Sequence, residues 1–77
     1  MRITVQLYAS LKQYAPNGGD DTFELDIPPM DVKELIRYLG IPEIKAGIVM
    51  INDKICDRLT EIQNNDKIRI LTELMGG

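Results

Sequence analysis

Hydrophobic and polar positions alternate from the first residues onward. Ile3, Val5 and Leu7 fall on one face and Arg2, Thr4, Gln6 and Tyr8 on the other, which predicts a half-buried strand over residues 2–8. Residues 9–21 break the alternation. A short helical turn at 9–15 with Leu11 tucked inward is expected there, ended by Pro16-Asn17-Gly18-Gly19. Alternation returns at residues 22–27, with Phe23, Leu25 and Ile27 inward. Pro28-Pro29 stops that strand, because neither residue can donate to a ladder.

The period then changes. Val32, Leu35, Ile36 and Leu39 lie at i, i+3, i+4 and i+7, one apolar stripe of a helix. Asp31 is its expected N-cap with Glu34 completing a capping box, and Gly40 and Pro42 follow in the usual order for a helix end. The run Ile48-Val49-Met50-Ile51 suits a strand with both faces partly covered. Asn52-Asp53 predicts a tight hairpin turn that requires positive φ, with residues 54–56 as the return strand. Residues 57–62 read as irregular, Asn64-Asn65-Asp66 as a turn, and 67–72 as the last strand, with Ile68 and Ile70 inward and Arg69 and Leu71 outward. Elements in the order β, β, α, β, short β, β must share one core. The expected class is therefore α+β, a mixed sheet of about five strands gripping one main helix, the β-grasp or ubiquitin-like arrangement.

Length and composition narrow the chemistry. A chain of 77 residues allows one domain. It holds no histidine and a single cysteine, Cys56, which excludes His-ligated metal, a thiolate metal cage and a disulfide framework. Without a histidine to act as its base, Cys56 reads as a small packing residue. Asp20-Asp21 reads as a solvated loop, and Gly18-Gly19 lacks the Lys-Ser/Thr of a phosphate loop. Tyr8, Tyr14 and Tyr38 are too scattered for base stacking, and a net charge of −3 disfavours nucleic acid. No apolar stretch approaches the ~20 residues that span a bilayer, and the first residues alternate too early for a signal peptide. The expectation is a cytoplasmic protein without membrane contact, catalytic side chain, metal or bound cofactor, whose partners are proteins.

The sequence closes on Thr72-Glu73-Leu74-Met75-Gly76-Gly77. Glycine usage near 7% gives a terminal pair in about 0.5% of chains by chance. Here the pair directly follows a strand, with Leu74 and Met75 between. The expected organisation is a globular body over residues 1–73 and an extended tail over 74–77. Five residues from Glu73 reach about 17 Å, and Gly76 and Gly77, lacking Cβ atoms, fit a channel too narrow for other residues. If the protein ends at Gly77, its α-carboxylate is the group presented. A carboxylate is a poor electrophile, so a partner must adenylate it with ATP. Sulfide transfer then leaves a C-terminal thiocarboxylate, and no catalytic side chain of the carrier is needed.

These features together resemble the MoaD/ThiS family of ubiquitin-like sulfur carriers, and most closely the small subunit of molybdopterin synthase. Ile3-Thr4-Val5-Gln6-Leu7-Tyr8-Ala9-Ser10-Leu11 is similar to the family's first strand and turn, and Asp31-Val32-Lys33-Glu34-Leu35 through Leu39-Gly40-Ile41-Pro42 to its helix and exit. Val49-Met50-Ile51-Asn52 resembles its apolar strand, Asn65-Asp66-Lys67-Ile68 its approach to the last strand, and Gly76-Gly77 its terminal pair. Thr72-Glu73 departs from the prolines usual in the molybdopterin members, and Asn52-Asp53 from the usual Asn-Gly. The resemblance implies sulfur donation in molybdenum or tungsten cofactor biosynthesis, with thiamine, cysteine or tRNA thiolation, or protein modification, as alternatives. It implies a MoeB/ThiF-like adenylyltransferase that uses ATP and magnesium, and a large synthase subunit or another acceptor. Strand alternation turns Tyr8, Met50 and Leu71 to the face away from the helix, with Arg69 beside them. The resemblance implies that this patch docks against those partners, while Leu74, Met75 and Gly76 thread and Gly77 is modified.

Overall fold

Each alternating stretch becomes a strand, and the 3.6-residue stripe becomes the helix between them. A computed structural model describes residues 1–16 and 21–72. Its elements are β1 (Arg2–Leu7), β2 (Thr22–Asp26), α1 (Val32–Tyr38), β3 (Ile48–Ile51), β4 (Lys54–Cys56) and β5 (Lys67–Leu71), with 3-10 turns at Ala9–Tyr14 and Glu43–Lys45. The strands form a five-stranded sheet in the order β2-β1-β5-β3-β4. β1 and β5 run parallel and the other neighbours antiparallel. This is the expected β-grasp, and its middle strand is the last one among the described residues.

Three strands end one residue earlier than their alternation suggests, each for a local reason. Tyr8 is still extended, but Ala9 at φ 53° turns the chain away. Ile27 lies past the end of β1, and its N–H donates to the Met1 carbonyl at 2.9 Å. β5 stops at Leu71, whose carbonyl accepts from Gly47 N–H at 2.8 Å.

The helix is short and closed at both ends. Glu34 N–H donates to Asp31 Oδ1 at 2.9 Å, and Asp31 N–H donates to Glu34 Oε1 at 3.0 Å, which is the expected capping box. The first two helical N–H groups are satisfied by the irregular segment: Val32 donates to Thr60 O at 3.1 Å and Lys33 to Arg58 O at 2.9 Å. At the other end Gly40 sits at φ 79°, Ile41 N–H donates to Ile36 O, and Gly40 N–H donates to Arg37 O. That pair of bonds is a Schellman closure, with Ile36 and Ile41 both buried beneath it.

One face of the sheet carries the core. Ile3, Val5, Leu7, Val49, Ile68 and Ile70 are buried there against Val32, Leu35 and Ile36 of α1. Ile62, from the segment read as irregular, is also buried, and its N–H donates to Met30 O.

Asn52 fastens the β3–β4 turn to the start of β5. Asn52 and Asp53 stand at φ 51° and 70°, the primed geometry that suits a two-residue hairpin. Asn52 Nδ2 donates to Asp66 Oδ1 at 3.0 Å, and Lys67 N–H donates to Asn52 Oδ1 at 3.0 Å. The other oxygen of the buried Asp66 carboxylate accepts from Gln63 N–H at 2.8 Å. Asn52→Ala removes two bonds at about 1 kcal/mol each and places a Cβ-bearing residue without a local side-chain bond in the left-handed region, at about 1–2 kcal/mol more. Urea unfolding is expected to show a loss of about 3–4 kcal/mol for this variant; a loss below ~0.5 kcal/mol would remove Asn52 from this role.

Candidate functional site

The face of the sheet opposite α1 holds the residues that the alternation turned outward. Register fixes who stands beside whom. Met50 pairs with Arg69 and with Ile55, and Ile48 pairs with Leu71. Tyr8 continues β1 past buried Leu7, and its N–H donates to Ile70 O, which places it next to Leu71. Tyr8, Met50 and Leu71 are therefore on one face, half-buried, with Arg69 exposed among them.

Two apolar members of this face escaped the sequence reading. Ile48 stands two residues before Met50 in the same strand, so the alternation that turns Met50 outward turns Ile48 outward as well. Ile55 sits in a three-residue strand, too short for alternation to register, and is 72% exposed. Its only signal was the hairpin register, which places it opposite Met50. Five apolar side chains thus share the end of the face where β5 runs out at Leu71 and Thr72. Residues 73–77, which include Leu74, Met75, Gly76 and Gly77 and the boundary between body and tail, lie outside the described residues.

Charge flanks the apolar end. Arg69 Nη1 lies 3.1 Å from Asp53 Oδ1 at the tip of the β3–β4 hairpin. At the far edge Arg2 spans Glu24 at 2.8 Å and Asp26 at 3.2 Å. Its guanidinium is held above its ordinary pKa, first by the hydrogen bond to Glu24 and then by the charge of Asp26. Such a group ties two strands together and moves no proton. Cys56 is half-buried, its thiol directed at Lys54 O at 3.4 Å. Among the described residues no three His, Cys, Asp or Glu side chains gather as a metal site, and no helix is long and apolar enough to cross a membrane.

The ThiS family model matches residues 5–77. The chain belongs to the ThiS family. Solved structures of similar fold include a Pyrococcus furiosus protein described as molybdopterin converting factor subunit 1, at 17% identity and TM-score 0.73 over 95% of this chain and 98% of that one. SAMP1 from Haloferax volcanii, a small archaeal modifier protein, aligns at 16% identity and TM-score 0.70 over the whole of both chains. A complex of subunits 1 and 2 of the molybdopterin-converting factor from Helicobacter pylori contains a chain that aligns at 24% identity and TM-score 0.65 over the whole of both. A search of curated proteins found no match. The family match confirms the ubiquitin-like assignment and extends through Gly76 and Gly77.

Because the ThiS-family core lies wholly on the helix side, the two faces should respond differently to charge. Ile55→Asp is expected to leave the unfolding free energy from urea titration within about 0.5 kcal/mol of the parent, whereas Ile70→Asp, at 0% exposure, should unfold the chain at room temperature. Equal sensitivity of the two sites would contradict this division of the sheet.

Proposed function

We propose that this ThiS-family protein is a sulfur carrier whose reactive group is the α-carboxylate of Gly77. A partner adenylyltransferase of the MoeB/ThiF type binds the body and takes the tail into its active site. Leu74, Met75 and Gly76 lie in the channel, and the narrowness of glycine admits the last two residues. The carboxylate oxygen attacks the α-phosphorus of ATP, pyrophosphate leaves, and an acyl adenylate forms; magnesium and ATP belong to that enzyme. Hydrosulfide then attacks the acyl carbon, a C–S bond replaces the C–O bond to AMP, and the thiocarboxylate results. The carrier supplies no acid, base or metal to either step.

The observation that carries this reading is the family match through residue 77, which includes the diglycine. Leu71 and Arg69, beside Tyr8 and Met50, are outward residues of the strand that precedes the tail, which supports docking of the partner on that face. We assign the acceptor to molybdopterin formation, with a large synthase subunit as second partner. The Helicobacter pylori complex, in which a chain of this fold is joined to subunit 2, is consistent with such a pairing. Protein modification is the second reading. It is favoured by the likeness in fold to the Haloferax volcanii modifier and begins with the same adenylation.

ATP–pyrophosphate exchange by the host adenylyltransferase tests the tail. Deletion of Gly77 or Gly76→Ala is expected to lower exchange at least about 100-fold, or about 2.7 kcal/mol, with the thermal midpoint unchanged. Exchange at the parent rate in both variants would refute the threaded carboxylate. Leu71→Asp is expected to weaken binding to the same enzyme about tenfold, about 1.4 kcal/mol, as read by calorimetry; an unchanged affinity would place the docking surface elsewhere.

A further inference from the structure

Below the apolar end, the same sheet face carries a groove of about 310 Å³, lined by mostly polar residue types that expose much of their apolar stems to it. Its floor and walls are set by register. Thr4 stands opposite Lys67 and Gln6 opposite Arg69 across the β1–β5 pair, and Thr22 stands opposite Gln6 from β2. The β3–β4 turn closes one side with Asp53. That turn is fixed, because Asn52 is bonded to both Asp66 and Lys67. Hydroxyls and an amide on β1 and β2 and two cations on β5 therefore share one face; of the carboxylates there, Asp53 lines the groove and is engaged by Arg69 at 3.1 Å, Glu24, opposite Thr4, is engaged by Arg2 at 2.8 Å, and Asp21 accepts from the Thr22 hydroxyl. Lys67 makes no ion pair among the described residues.

A chain with a net charge of −3 has gathered donors here. Arg69 is the direct neighbour of Met50, so the groove and the apolar end are one continuous surface. A protein that covers Met50 and Ile55 must also take water from Arg69 and Lys67. Burying those cations without a counter-charge is costly, and the partner has to supply it. Arginine has five donors in a planar fork, so Arg69 can keep Asp53 on one nitrogen and offer another to a second carboxylate.

We infer that this groove is a carboxylate-binding subsite, which receives an acidic side chain of the protein that docks on the open face. The idea rests on the proposed docking of an activating enzyme on that face, but its chemistry is testable without any enzyme. Asp53 is the internal competitor for Arg69. Its removal therefore strengthens binding, an effect opposite in sign to the loss of either cation. Asn is well tolerated in the left-handed conformation of residue 53, so Asp53→Asn keeps the turn.

The test is a titration of the isotope-labelled full chain with tetraglutamate peptide, and in parallel with inorganic phosphate, followed by backbone amide shifts. Saturable shifts at residues 4, 6, 67 and 69 are expected with the peptide. The double variant Lys67→Gln, Arg69→Gln should weaken that binding at least tenfold, and Asp53→Asn should tighten it twofold or more. Peptide shifts elsewhere on the molecule, or unchanged binding in the double variant, would overturn the inference. Tighter binding of phosphate than of peptide at the same amides would overturn it in favour of a free phosphate ligand. Failure here leaves the tail chemistry standing, and failure of adenylation leaves the groove standing.

Discussion

The constraint on which the structure depends is the placement of β5 in the middle of the sheet. β5 pairs with β1 on one side, parallel, and with β3 on the other, antiparallel. Ile68 and Ile70 point into the core at 1% and 0% exposure, and Arg69 and Leu71 point out. One strand thus holds the two halves of the sheet together, fills the core and presents the open face. It also carries the chain into its final residues from a base that cannot shift register: a slip of one residue would bury Arg69 and expose two isoleucines.

The surroundings of β5 reinforce that placement. Its first residue is clasped by Asn52, and its last carbonyl is bonded to Gly47. The segment before it binds the helix, since Arg58 and Thr60 carbonyls accept from the first helical N–H groups and Arg58 Nη2 donates to Ala46 O. These contacts explain how a helix of seven residues is maintained. A helix this short is unstable alone, and its stability comes from burial of Val32, Leu35 and Ile36 together with complete capping.

Local pattern made most of the fold legible. The strands of residues 48–51 and 54–56, the capping box at Asp31 and Glu34, and the positive φ at Asn52 and Asp53 follow from residue type and spacing. What escaped was set by distant parts of the chain. Nothing near Ile62 marks it as a core residue, because its side chain packs into the core from an irregular segment whose backbone is held by the bond to Met30, with no periodicity to show it. The buried carboxylate of Asp66 is met by Gln63 N–H within its own turn and by Asn52 from the distant β3–β4 turn, and only the second of these lies beyond local pattern. On the open face, Tyr8, Met50, Leu71 and Arg69 were readable from alternation, whereas Ile55 needed the hairpin register and the Lys67–Arg69 groove needed the parallel pairing of β1 with β5.

A body so built offers a surface to recognise on its open face, which suits the handle we propose for the carboxylate of Gly77. The most direct measurement is intact mass spectrometry of the protein, with its C-terminal peptide, after incubation with ATP, the host adenylyltransferase and a sulfide donor. The peptide ending in Gly77 is expected to gain the mass difference between sulfur and oxygen. A C-terminal peptide that remains an ordinary carboxylate while ATP is consumed, or one found joined to a lysine, would contradict the sulfur-carrier proposal.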